Sequence, residues 1–163
     1  MDIEWINNLS PQLATFLLAM LPITELRVSI PVALETFDLP IWQAYVLSVV
    51  GDIIPGVLII YFIGPISRFL RKWRIADKFF VWLFAHTRSR FDAKYKVWGN
   101  LALLFFVAIP LPFTGVWAGS VAAWLFGIKK KDSLIYIILG AMLAGVLVTL
   151  ISLGIFGFFK SVL

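Results

Sequence analysis

Long apolar runs limit this chain to folds that a lipid bilayer can hold. They cover Ile41–Ile63, Leu101–Ile109 followed by Val116–Ile128, and Ser133–Phe159. A spanning helix needs about 20 predominantly apolar residues, so the 163 residues suffice for about three or four membrane elements. Charged residues make up 14% of the chain, whereas a soluble domain uses about 25% to cover its surface. We therefore predict an all-α integral membrane protein, with a single membrane domain over residues 1–163.

Residue types exclude several kinds of chemistry. The chain has no cysteine, which excludes disulfides and thiolate ligands, and its one histidine, His86, cannot form a histidine-rich metal site. The sequence contains no Ser-His or paired-carboxylate arrangement at hydrolytic spacing, so we expect neither an enzyme nor a cofactor. The basic residues that give the chain its net charge of +5 lie beside apolar segments and among aromatic residues, which argues against nucleic acid as a partner.

Basic residues are concentrated in a connector over residues 66–98. By the positive-inside rule this connector is cytoplasmic. Aromatic residues between Ile75 and Phe84, with Trp73 just before them, predict an amphipathic helix in the headgroup plane. A plain basic loop without lipid specificity is the alternative. The basic residues of the connector are Arg68, Arg71, Lys72, Arg74, Lys78, Arg88, Arg90, Lys94 and Lys96.

A second basic group, Lys129–Lys131, discriminates between two topologies. If Ala14–Leu34 and Leu101–Gly127 both cross the membrane, these lysines lie outside, against the positive-inside rule. If both segments are re-entrant hairpins, only Ile41–Ile63 and Ser133–Phe159 cross, and the lysines join the connector in the cytoplasm. The charge rule favours the hairpins, and proline-kinked spanning helices are the alternative.

Prolines support the hairpins. We predict helix breaks at Pro22 and Pro31 in the first hairpin and at Pro110 and Pro112 in the second. Proline removes a backbone donor and clashes with the preceding turn. A broken backbone at membrane depth is tolerated only where it is buried in protein or lines a water-filled cavity.

The two halves of the chain resemble each other. A shift of 89 positions aligns Phe16 with Phe105 and Gly51 with Gly140, and each half runs from a broken hairpin to a glycine-containing span. We predict repeat 1 over residues 11–64 and repeat 2 over residues 100–160. With one crossing per half the repeats are inverted, as in many secondary carriers.

Three charged residues lie within apolar segments, where charges are costly and usually functional. Glu25 and Arg27 lie at the break of the first hairpin and, at i and i+2, are not expected to neutralise each other. Arg27 suits a phosphate, and Glu25 suits proton binding because a poorly solvated carboxylate favours its neutral form. Asp52, in the middle of Ile41–Ile63, is a second predicted site for a proton or a cation. The alternatives are an anchoring pair at an aqueous vestibule for Glu25 and Arg27, and a structural hydrogen bond for Asp52.

The second break carries Thr114 and Gly115. Thr114 is a predicted N-cap for a helix that runs through Ala123. A half-helix that starts inside the membrane presents free N–H groups and a positive dipole end, which suit an anion. We therefore predict that Arg27, Thr114 and Gly115 bind substrate.

Two motifs resemble those of a known family. Glu25-Leu26-Arg27-x-x-Ile30-Pro31 resembles the first signature of the small multidrug export proteins. Pro110-Leu111-Pro112-x-Thr114-Gly115, within a longer match, resembles the second. The family is similar to the broader DedA superfamily. That resemblance implies paired re-entrant hairpins in inverted repeats, a prokaryotic inner membrane, and proton-coupled flipping of phospholipids or polyprenyl-phosphate carriers.

The leading hypothesis is therefore a proton-coupled translocase for an anionic lipid or polyprenyl-phosphate carrier. Its partners would be membrane lipids, with an anionic phosphate headgroup as substrate, and protons. Export of small cationic drugs and a non-transporting membrane scaffold are the alternatives. Small residues on Ser133–Phe159 also allow a homodimer.

Overall fold

The fold of the chain is described from a computed structural model, which covers residues 9–70, 95–111 and 114–162. These residues form six helices: α1 (Pro11–Met20), α2 (Glu25–Glu35), α3 (Ile41–Leu70), α4 (Tyr95–Ala108), α5 (Val116–Leu125) and α6 (Lys130–Val162). No strand occurs in the described ranges, as predicted for an all-α chain. Most of the predicted amphipathic connector, and Pro112 with its neighbour, lie outside the described residues.

Local sequence explains how the first two helices begin and end. Ser10 caps α1 by accepting a hydrogen bond from the Leu13 N–H at 3.4 Å, and Pro11 occupies the first turn, where its missing donor costs nothing. The predicted break at Pro22 separates α1 from α2. Pro31 does not break the chain as predicted: it lies inside α2, which continues to Glu35.

Within the described ranges, two helices are long and apolar enough to cross a membrane, over Ile41–Ser67 and Lys130–Gly154. Both extend beyond the predicted limits. The first helix continues through Gly64 and Pro65 to Leu70, so the predicted connector begins within a helix. The second begins at Lys130, so the basic group lies in its first turn. Large apolar side chains are exposed along both helices, among them Phe62 and Leu150, which is the surface that lipid covers.

The start of α6 lies beside the end of α3. The Lys130 ammonium is 5.1 Å from the centre of the Tyr61 ring, and the Tyr45 hydroxyl donates to the Met142 carbonyl at 3.0 Å. The two long helices are therefore antiparallel. The basic group Lys129–Lys131 is at the end of α3 from which the connector leaves, as the hairpin topology requires. Which membrane face this end occupies stays a prediction.

Helix packing repeats between the halves. α1 packs on α2 and α3 as α4 packs on α5 and α6, and α3 contacts α5 as α6 contacts α2. Glycines permit equivalent approaches: a Cβ at Gly51 would lie 2.6 Å from the Phe16 carbonyl oxygen, and one at Gly140 would lie 2.9 Å from that of Leu104. This pattern agrees with two repeats. Their inverted orientation and re-entrant depth stay predictions.

Candidate functional site

The two helix breaks meet at one place in the bundle. α2 begins at Glu25, which has a positive φ of 43°, and α5 begins after Gly115, whose φ is 114°. A positive φ is rare for a residue with a side chain and occurs mostly where the surrounding structure imposes it. Both first turns contribute to the same pocket, with Asp52 from the middle of α3.

Arg27 connects the two breaks. Its guanidinium donates to the Thr114 carbonyl at 2.5 Å and to the Thr114 hydroxyl at 3.3 Å. The same Nη2 atom lies 3.5 Å from Glu25 Oε2, so the two residues do pair, contrary to the prediction. The i and i+2 rule holds for the regular part of a helix. Glu25 is the first residue of α2 and has a left-handed backbone, which turns its side chain out of the helical series.

The anion at the start of α5 is the protein's own carboxylate. Glu25 is buried, and its Oε1 accepts a hydrogen bond from the Trp117 N–H at 3.4 Å. A Cβ at Gly115 would overlap the Glu25 carboxylate, so only glycine leaves room for it there. The positive end of α5, predicted to hold a substrate anion, is therefore occupied by Glu25 in this conformation.

Thr114 is not the N-cap that the sequence predicted. The cap of α5 is Gly115, without a capping side chain. The Thr114 hydroxyl instead organises the break: it accepts from the Leu111 N–H at 3.1 Å and lies 2.8 Å from the Ile109 carbonyl. The helix before the break ends at Ala108, and the chain then turns tightly around Pro110, where the Leu111 N–H lies 2.8 Å from the Ile109 carbonyl. The Thr114 hydroxyl holds this turn because it contacts both residues.

Asp52 is 1% exposed, and its Oδ1 atom has no hydrogen-bond partner among the described residues. It is close enough to Glu25 and Arg27 for their charges to act on it. With these two residues and Gly115 it lines a cavity of about 10 Å³, room for about one water molecule. A buried carboxylate without a partner is costly and points to a functional role.

A larger opening, the vestibule, adjoins this cavity. Its volume is about 550 Å³, within the usual range for small-ligand pockets. Its polar side is formed by the half-buried Arg27, and its apolar side by the exposed tip of the first break, where Ile23 is 89% exposed. The residues lining it are Pro22, Ile23, Glu25, Arg27, Thr114, Trp117 and Ala118.

Two contributions were missed by sequence reasoning. The first is Trp117, whose indole N–H donates to the Met20 carbonyl at 3.3 Å and so ties the end of α1 to α5. Its position three residues after Thr114, within the second motif, was the available signal. Ser29 and Ser48 lie one helical turn from Glu25 and Asp52, respectively, and both hydroxyls are buried.

Comparisons with known proteins agree with the motifs. No curated protein and no solved structure matches the chain. Similarity to the DedA superfamily stays a prediction. The family model described as "Putative small multi-drug export protein" matches residues 25–147, which begin at Glu25 and include every charged residue of the pocket. Since the match covers well over half of the chain, the protein belongs to this small multidrug export family.

Proposed function

We propose that this protein is a proton-coupled membrane transporter that moves an amphipathic anion, with the phosphate headgroup of a lipid or polyprenyl-phosphate carrier as the group it recognises. The observation that carries the proposal is the Glu25 carboxylate, which lies between the Arg27 guanidinium and the Trp117 N–H in the first turn of α5. A site in which a guanidinium and a helix N-terminus bind one oxyanion, here a carboxylate, is also suited to bind a different oxyanion such as a phosphate.

Glu25 and a substrate phosphate would compete for the same donors. While Glu25 is ionised, it neutralises Arg27 and the positive end of α5, and a second anion there is repelled. Once Glu25 takes a proton, its hold on both donors weakens and the phosphate replaces it. Proton uptake is thereby coupled to anion binding, with Asp52 as the second proton-exchanging carboxylate.

The vestibule provides for the rest of an amphipathic molecule. Arg27, the most accessible charge of the pocket, faces an opening whose other side is the apolar tip around Pro22 and Ile23. A headgroup can therefore reach Arg27 and Thr114 while an acyl or prenyl chain stays against apolar side chains and lipid. We place the protein in a prokaryotic cell membrane, with the connector and Lys129–Lys131 on the cytoplasmic side.

Flipping of a fluorescent phospholipid in proteoliposomes tests the proposal. Arg27→Ala should abolish flipping, whereas Lys131→Ala, which removes an exposed charge, should leave it unchanged. Glu25→Gln should retain anion binding and show a weaker dependence of that binding on pH, because only Asp52 then exchanges protons. Glu35→Gln, at the exposed end of the same helix, is the control. Flipping at the wild-type rate by Arg27→Ala would contradict the proposal.

A second candidate is export of small cationic drugs, favoured by two observations. The vestibule has the volume of a drug site and is lined by both Trp117 and Glu25, an aromatic and an acidic residue that suit a cation. The family description also names drug export. The two candidates predict opposite results: a drug exporter loses transport with Glu25→Gln and tolerates Arg27→Ala. A non-transporting scaffold requires every buried charge to be satisfied internally, and the unpartnered Asp52 oxygen argues against it.

A further inference from the structure

Two buried serines differ from the other buried hydroxyl side chains in the described part of the chain. Ser29 and Ser48 are both 0% exposed, and neither hydroxyl has a hydrogen-bond partner there. A buried hydroxyl without a partner is costly and usually marks a place for a bound water or ion. The six other buried hydroxyls donate to a backbone carbonyl three or four residues earlier at 2.7 to 3.1 Å: Thr15, Ser67, Ser120, Ser133, Thr149 and Ser152.

The helix register places the two serines opposite each other. α2 and α3 are packed neighbours joined by the short turn over residues 36–40, so they run antiparallel. Ala33 on α2 and Ala44 on α3 belong to one buried cluster, which fixes the level of one helix against the other. Ser29 lies four residues before Ala33, and Ser48 lies four residues after Ala44, so each serine is one helical turn nearer the break than its alanine.

One further turn brings Glu25 opposite Asp52, and the charges of these two carboxylates act on each other. The face between α2 and α3 therefore has three layers: two carboxylates, two hydroxyls, and the fully buried alanines Ala33 and Ala44 that close it. The carboxylate layer lines the cavity of about 10 Å³, and the two serines lie one helical turn further from it.

The described residues around this cavity carry one more negative charge than positive charge when all of them are ionised. They supply two carboxylates, Glu25 and Asp52, and one guanidinium, Arg27. Arg27 is already bound to the Thr114 carbonyl and paired with Glu25, which leaves the Asp52 oxygen without a partner. An uncompensated buried charge is strongly unfavourable, so a mobile positive charge is expected at Asp52.

We propose that Asp52, Ser48 and Ser29 bind one dehydrated monovalent cation of sodium size between α2 and α3, which would exchange with the proton on Asp52. A carboxylate and two hydroxyls are the oxygen ligands that hard cations prefer. Pro55 has no N–H for the Gly51 carbonyl, so a further oxygen is available next to Asp52. The described residues contain no group of three His, Asp or Glu side chains suited to a metal, and a single carboxylate matches a single positive charge. The site is separate from the anion position at Arg27.

Thermal unfolding of the purified protein in detergent tests the site without any transport. The melting temperature is measured in sodium chloride and in choline chloride at equal ionic strength. Sodium at about ten times its dissociation constant should raise the melting temperature by about 3 to 5 °C relative to choline. Asp52→Asn and Ser48→Ala should remove this difference.

Ser67→Ala is the matched control because Ser67 is a buried serine of the same helix whose hydroxyl has its own partner at 2.9 Å. It should keep the full sodium effect. Ser29→Ala and Ser48→Ala should fold, with melting temperatures in choline no lower than that of the wild type, because each removes an unpartnered hydroxyl. Equal melting temperatures in sodium and choline, or an undiminished sodium effect in Ser48→Ala, would overturn the proposal and indicate water between the serines. Neither result bears on anion flipping, which is measured separately.

Discussion

Replacing Gly115 by alanine is the most direct perturbation of the meeting point between the two breaks. Gly115 has a φ of 114° and a ψ of −168°, a region that side-chain-bearing residues enter at a cost of about 1 to 3 kcal/mol. The new Cβ would also overlap the Glu25 carboxylate. If Glu25 moves away, its hydrogen bond to the Trp117 N–H is lost, and a bond to a charged group contributes about 1.5 to 3 kcal/mol. We expect Gly115→Ala to lower the free energy of unfolding by about 3 to 5 kcal/mol.

A matched glycine separates the two causes. Gly127 also has a positive φ, of 66°, but nothing lies within 4 Å of the position its Cβ would take. Gly127→Ala should therefore cost only the backbone strain, about 1 to 2 kcal/mol. The difference between the two variants, about 2 to 3 kcal/mol, measures the displacement of Glu25.

A double-mutant cycle completes the test. In a Glu25→Ala background no carboxylate remains for the Gly115 Cβ to displace, so the cost of Gly115→Ala should fall to that of its backbone strain alone. Unfolding in detergent, followed by tryptophan fluorescence, gives the four free energies. The reasoning is refuted if Gly115→Ala costs no more than Gly127→Ala, or if its cost is the same with and without Glu25.

Three further predictions concern packing, the tie between the breaks, and pH. Gly140→Ala should destabilise the protein by about 1 to 3 kcal/mol by forcing α6 away from α4, whereas Gly154→Ala on the same helix, with nothing within 4 Å, should stabilise it by about 0.5 to 1 kcal/mol; thermal melts check both. Trp117→Phe should cost about 1 kcal/mol in the same assay because the indole donor to the Met20 carbonyl is lost. Binding of a phosphate-headgroup probe should strengthen as pH falls, because protonation removes the Glu25 carboxylate from the donors it occupies, and titration calorimetry on Glu25→Gln should show a smaller slope, to which Asp52 alone contributes.

Local sequence predicted where the helices break and which of them are long. Pro22 and Pro110 lie at the breaks because proline disrupts the helix turn in which it stands. The two long helices could be predicted because the length of an apolar run can be measured within one segment, without knowledge of its neighbours. Pro31 shows the limit of the proline rule. One missing hydrogen bond in an eleven-residue helix is tolerated, and the helix continues past it.

The contacts between segments could not be predicted in this way. That Arg27 donates to the Thr114 carbonyl, and that Glu25 accepts from the Trp117 N–H, follows from the close approach of two breaks far apart in the sequence. Ser29 and Ser48 acquire meaning only once the register of α2 against α3 is known. Each serine alone looks like an ordinary helical hydroxyl that bonds back to its own carbonyl.

The charge of the pocket connects the anion position with the proposed cation site. With Glu25 and Asp52 ionised, the pocket has a net charge of −1, and an anion approaching Arg27 is repelled. A cation at Asp52 brings the net charge to zero, and a proton on Glu25 then leaves Arg27 as the single uncompensated charge. A monoanionic phosphate restores neutrality. The anion is therefore bound in a desolvated site only when the cation at Asp52 and the proton on Glu25 are both present. Its release to the other side is favoured when either the cation or the proton leaves. Sodium should accordingly strengthen the binding of a phosphate probe in the wild type and have no effect on it in Asp52→Asn; equal strengthening in both proteins would separate the two sites and refute this coupling.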